Sequence, residues 1–200
     1  MNLVFIVDEL ETLGGVQKVM QGLGSALASL GHRIYYVTLH DTGVAPCVTG
    51  NEVLYLSLPR LPQEERRLPH EARSEIQRLL STLASGCVLM QSPSVVAWLR
   101  DIDFSGFARV GQYHGSYEYA ASSYHGQFIR DYYSRLDWSV FPTTDDAMLF
   151  QKNFGIGNGV YLPEVVIPIG VGERSIERAP RVLSVGRLSA EKGFFRLIDA

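Results

Sequence analysis

Short apolar runs alternate along this chain with stretches whose apolar residues recur every three or four positions. Leu3–Val7 is apolar on both faces, the pattern of a strand inside a parallel sheet. Val16, Val19, Met20, Leu23, Leu27 and Leu30 then form the stripe of an amphipathic helix, and Gly31 stands where such a helix closes through a left-handed residue. Further strands are predicted at Ile34–Leu39, Val53–Leu56, Cys87–Met90, Ala108–Tyr113, Trp138–Phe141 and Val165–Ile167. Helices are predicted over Glu71–Ser85, from Ser92-Pro93 onward with Ser as N-cap and Pro at N1, and on the stripe Phe128, Ile129, Tyr132, Tyr133, Leu136. Another starts at Thr143 or Thr144, carries Asp145 and Asp146 in its first turn and ends at Gly155.

Strand and helix in strict alternation predict an α/β fold, a doubly wound parallel sheet of Rossmann-like type with about seven strands. Ligands of such sheets bind at the carboxyl ends of the strands. Residues 1–172 read as one domain. Residues 173–200 read as a linker and the truncated start of a second, with a strand at Val182–Val185 and a helix over Glu191–Ala200.

Composition narrows the function. With 46% hydrophobic and 20% charged residues over 200 positions, the chain is expected to fold without staples. A formal charge of −3 argues against a nucleic-acid partner. Cys47 and Cys87 are far apart, which excludes a disulfide framework and a cysteine zinc site. Asp8, Glu9 and Glu11 interrupt the apolar start, so neither a signal peptide nor a spanning helix is expected, and the location expected is the cytoplasm.

Three places carry candidate chemistry. Gly14-Gly15 lies between the first strand and the first helix, where it is either a tight turn or an anion site made of backbone N–H groups at a helix start. It is not G-x-G-x-x-G, which disfavours a nicotinamide or flavin dinucleotide. His114, after the fifth strand, is placed to meet a hydroxyl or phosphate. Gly186-Arg187-Leu188-Ser189-Ala190-Glu191-Lys192-Gly193 puts two cations after a strand, an arrangement suited to a leaving diphosphate. Asp101-x-Asp103 reads as a solvated turn rather than a metal site. Tyr132 and Tyr133 fall on the core stripe, whereas Tyr113, Tyr117, Tyr119 and Tyr124 are open to sugar stacking or to core packing.

Taken together, these segments are recognisable. Gly14-Gly15-Val16-Gln17-Lys18 through Gly31-His32 resembles the opening of the group 1 (family 4) glycosyltransferases. His114-Gly115 resembles that family's histidine after the fifth strand. Val166-Ile167-Pro168 with Gly170-Val171 resembles its interdomain linker, with Ile169 where Asn is usual. Gly186-Arg187-Leu188 with Glu191-Lys192-Gly193 resembles the opening of its second domain. The family's E-x7-E has no counterpart in these residues.

The resemblance implies the N-terminal half of a GT-B fold, with residues 1–172 on the acceptor side and 173–200 opening the donor-binding domain. It implies transfer of a sugar, with retention, from a nucleotide-diphosphate-sugar to a cell-surface glycan or lipid-linked acceptor. No cofactor and no essential metal are implied, and a lipid acceptor would bring peripheral contact with the inner face of the membrane. Arg187 and Lys192 would hold the donor diphosphate, joined by backbone N–H groups of Gly14 and Gly15. His114 would meet the transferred sugar, and Gln17 and Lys18 would line the acceptor side. Two other readings stay open: a non-catalytic module for a phosphorylated sugar or nucleotide, and a GT-B nucleotide-sugar epimerase.

Overall fold

The computed structural model describes residues 1–10, 14–40, 52–56, 58, 67–164 and 193–198. Seven strands form one sheet: β1 (Asn2–Val7), β2 (Arg33–Thr38), β3 (Glu52–Tyr55), β4 (Gly86–Met90), β5 (Phe107–Gln112), β6 (Trp138–Phe141) and β7 (Gly159–Tyr161). Their order is β3-β2-β1-β4-β5-β6-β7 and every pairing is parallel. The doubly wound fold expected from the alternation is therefore present. The seventh strand is Gly159–Tyr161, too short and polar in its approach to stand out as an apolar run. The predicted strands at Val165–Ile167 and Val182–Val185 lie outside the described residues.

The helices are α1 (Gly15–Ser29), α2 (His70–Leu83), α3 (Pro93–Trp98), α4 (Tyr117–Ala121), α5 (Tyr124–Tyr132) and α6 (Thr144–Phe154). Their ends follow local chemistry. Ser92 Oγ accepts from Val95 N at 3.2 Å ahead of Pro93, and Thr143 Oγ1 accepts from Asp146 N at 2.9 Å. Gly31 and Gly155 close α1 and α6 at φ +85° and +72°, angles a side chain would strain. The stripe from Phe128 to Leu136 is not one helix. Helix α5 ends at Tyr132, a 3-10 turn takes Tyr133–Arg135, and Asn158 Nδ2 caps the carbonyls of Tyr133 and Leu136 at 3.0 and 2.8 Å.

Alternate residues of β1 enter two separate cores. Leu3, Phe5 and Val7 pack with Met20, Ile34 and Tyr36 on one face. Val4 and Ile6 pack on the other with Val37, Val88 and residues of α2, α3, α5 and α6. Period-two sorting of an all-apolar strand means both sheet faces are covered, as a parallel sheet requires. Gly24 serves this packing, because a Cβ there would lie 2.0 Å from the Tyr36 hydroxyl that donates to Met20 O.

The chain divides into two compact units, Met1–Ile167 and Pro168–Ala200, where the sequence places the division at 172. In the second unit the described residues form a helix, α7 (Phe194–Ile198), entered through Gly193 at φ +67°. It lies within the helix predicted over Glu191–Ala200, whose residues 191–192 and 199–200 are outside the described residues. No helix among the described residues is long and apolar enough to cross a membrane.

Candidate functional site

The strand order reverses between β1 and β4, because β2 and β3 continue on one side of β1 and β5 to β7 on the far side of β4. At such a reversal adjacent loops leave in opposite directions and open a crevice at the carboxyl edge. Gln91 follows β4 there, and its N–H extends the ladder to Ile6 O at 3.1 Å. His114 follows β5. The neighbour of β1 is thus β4, not β5, so the Gly14-Gly15 and His114 loops leave strands two positions apart, about 10 Å.

His114 is held at both ring nitrogens. Its Nδ1 lies 2.9 Å from Glu164 Oε1, beyond β7, and its Nε2 lies 3.1 Å from Gln91 Oε1, with the ring side chain only 9% exposed. Burial lowers the His114 pKa below the usual histidine value and outweighs the opposing pull of the Glu164 carboxylate. The ring is therefore neutral at pH 7 and has one N–H. A carboxylate only accepts, so that proton sits on Nδ1 and Nε2 becomes an acceptor. Gln91 then meets it with its NH2, the amide turned over so that the otherwise unpaired Nε2 faces the ring. The result is a three-residue chain, Glu164–His114–Gln91, running from beyond β7 to the crevice beside β1.

The loop that carries His114 is fixed from below. Ser116 Oγ accepts from Tyr119 N at 3.3 Å and caps α4. Asp146, buried at the start of α6, accepts from Tyr117 N at 2.7 Å through Oδ1 and from Thr143 Oγ1 at 2.6 Å through Oδ2. One carboxylate thus serves the positive ends of two helices. Read from sequence, Asp146 only favours its own helix; the bond to Tyr117 spans 29 residues and has no local signal.

The first-strand loop is built differently. Gly14 is the N-cap of α1 and brings no side chain to cap it, and no acidic residue lies in the helix's first turn. Gly15 is exposed, and a Cβ on it would meet nothing within 4 Å. A Cβ on Gly14 would strike Gln17 Oε1. Gln17 itself donates through Nε2 to Glu9 O at 3.2 Å, which ties the helix to the loop after β1; Lys18 is exposed. Arg187 and Lys192 lie outside the described residues.

Two other candidates resolve into structure. Asp103 accepts from Ser105 N and Oγ, and Asp101 pairs with Arg67 at 3.2 Å, so Asp101-x-Asp103 is a turn. Among the described residues no group of three His, Cys, Asp or Glu side chains gathers to hold a metal. Of the four tyrosines open to stacking, Tyr113 is buried, and Tyr117 is half-buried against Phe150 and Phe154; Tyr119 and Tyr124 are exposed. A cleft of about 260 Å³ lies away from this edge, lined by Tyr35, Leu54, Arg78 and Thr82 among others.

His125 in α5 is half-buried among these tyrosines, and burial lowers its pKa as it does that of His114. Unfolding restores both imidazoles to about 6.5, so below that pH the unfolded chain binds protons first. Stability is whole above pH 6.5 and is expected to fall as pH drops through the lowered native values. Thermal denaturation at pH 7.5 and 5.5 checks this, and His125→Phe should make the pH dependence shallower.

No protein-family profile and no curated protein matches the chain. Solved structures do match in fold. One is WaaG, a glycosyltransferase involved in lipopolysaccharide biosynthesis, at 16% identity and TM-score 0.52 over 83% of this chain and 46% of that one. Another is the catalytic domain of starch synthase IV from Arabidopsis thaliana, bound to ADP and acarbose, at 10% identity and TM-score 0.54 over 82% and 51%. The chain thus has the Rossmann-like fold found in these GT-B glycosyltransferases and spans about half their length.

Proposed function

We propose that this chain is the acceptor-side part of a retaining, two-domain glycosyltransferase. The observation that carries the reading is the Glu164–His114–Gln91 chain at the carboxyl edge of the sheet, on the same edge as an α1 N-terminus whose N-cap is a glycine. The likeness in fold to two glycosyltransferases of about twice the length supports it.

In this reading the donor is a nucleotide-diphosphate-sugar and the acceptor a cell-surface glycan or a lipid-linked sugar. The anomeric carbon's bond to the diphosphate breaks, and a bond to an acceptor hydroxyl forms on the same face. Arg187 and Lys192 supply the positive charge that the leaving diphosphate needs, so no metal is required. The first N–H groups of α1, at Gly15 and Val16, take phosphate oxygens with the help of the helix dipole. His114, neutral and anchored, orients Gln91 toward the transferred sugar. Gln17 keeps the loop after β1 against α1 on the acceptor side. The protein works in the cytoplasm, peripherally at the membrane when its acceptor is a lipid.

Gly15→Ala separates this reading from a plain turn. The added methyl has open space and helix propensity rises, so stability should hold or gain about 0.5 kcal/mol. Binding of a nucleoside diphosphate should weaken about tenfold as the methyl crowds the approaching phosphate. Calorimetry with UDP, ADP and GDP measures it, on the 200-residue chain and on the polypeptide extended past Ala200. Equal affinity of variant and parent for every nucleotide defeats the phosphate role. Turnover of a nucleotide-sugar should require the extended polypeptide.

A further inference from the structure

Tyr113 and His125 each hold a buried polar atom left unpaired by the described residues. Tyr113 Oη and His125 Nδ1 have no hydrogen-bond partner among the described residues, although Tyr113 is only 4% exposed. Buried unpaired groups cost about 1–3 kcal/mol each, and native folds rarely keep them without a purpose. These two lie side by side, with ring centroids 5.9 Å apart.

Around them the surface is aromatic and partly open. His125 is bracketed by Tyr124 at 4.2 Å and by Tyr119 at 5.8 Å between centroids. Tyr119 and Tyr124 are 55% and 37% exposed. The Tyr124 hydroxyl bonds to Ser94 in α3, the helix that follows β4.

We infer that Tyr113, Tyr119, Tyr124 and His125 form a binding site for the ring of an uncharged sugar. The inference rests on the glycosyltransferase reading and gives its acceptor a chemical class. Aromatic rings with exposed edges receive the apolar C–H face of a pyranose, and the two unpaired atoms receive its hydroxyls. Burial shifts both the Tyr113 and Tyr124 phenols toward their neutral forms. His125 is likewise held neutral by burial. None of these four side chains offers the positive charge that a phosphate or uronate needs.

The test is a titration of the 200-residue chain with methyl α-glucopyranoside, methyl β-galactopyranoside and methyl α-mannopyranoside. Glucuronate and inorganic phosphate serve as charged comparators. Saturation transfer from the tyrosine rings and shifts of the His125 imidazole protons report binding. At least one glycoside should bind, and both anions at least tenfold more weakly. Tyr113→Phe and His125→Phe should each weaken that glycoside about fivefold, the value of one hydrogen bond of about 1 kcal/mol. Tyr113→Phe deletes only an unpaired atom and so should fold at least as well as the parent. Tyr119→Ala, on the surface, should weaken it by a similar factor. Binding by none of the glycosides, unchanged affinity in all three variants, or equal binding of the anions overturns the site, and the unpaired atoms then hold water only. Nucleotide-sugar hydrolysis by the extended polypeptide is read separately. Hydrolysis without glycoside binding sinks this site alone, and glycoside binding without hydrolysis sinks the transferase reading alone.

Discussion

Replacing Asp146 with alanine is expected to lower the unfolding free energy by about 3 kcal/mol, since hydrogen bonds to charged groups contribute about 1.5–3 kcal/mol each. Asp146 is 7% exposed and accepts from both Tyr117 N and Thr143 Oγ1, so truncation removes both bonds and the negative charge at two helix starts. For a chain of this size that corresponds to a fall in melting temperature of about 10 °C. Asp146→Asn keeps an acceptor for Tyr117 and should lose less than half as much. Calorimetric or dichroism melts of the parent and both variants check it. A loss under about 0.5 kcal/mol in Asp146→Ala, within the range of an ordinary surface substitution, would remove the claim that this carboxylate holds the His114 loop.

The second large effect is on the transfer proposed above. On that reading, His114→Ala in a polypeptide carrying both domains is expected to lower the rate of sugar transfer about a hundredfold, the scale of a reacting group displaced by about 1 Å. The substitution severs the chain from Glu164 to Gln91, both of which bond directly to the ring. Glu164→Gln tests the positioning more finely. Its amide no longer requires the proton to sit on Nδ1, so Gln91 loses its fixed orientation while the ring remains. The expected result is a fall in kcat of about tenfold with KM for the donor little changed, because the geometry of the step is lost rather than uniform binding. An equal rise in KM with kcat unchanged would recast the chain as a plain binding contact.

The alternation of apolar runs and amphipathic stripes was enough to read six of the seven strands, to within a residue or two at each end, and the caps at Ser92, Thr143, Gly31 and Gly155. These are local matters. A strand buried on both faces must be apolar throughout, a helix start must offer an oxygen to a free N–H, and a left-handed residue is cheapest as glycine. The carboxyl-edge rule also directs attention to local features. His114 stands two residues past β5, and Gly14 and Gly15 open α1, the first helix after β1.

What the residues do to one another was not legible. Glu164 and His114 are 50 positions apart, Gln91 and His114 are 23 apart, and Asp146 and Tyr117 are 29 apart. No periodicity encodes such pairs, because they arise only when parallel strands bring their ends to one edge. Strand β7 escaped notice since a three-residue edge strand carries too little apolar surface to leave a pattern. The tyrosines show the division most plainly. Composition places them in one stretch of chain, but burial of Tyr113 and exposure of Tyr119 and Tyr124 follow from the packing of α4 and α5 over the sheet. Local propensity and patterning chose the elements; their order in the sheet, a property of the whole chain, decided which polar groups meet.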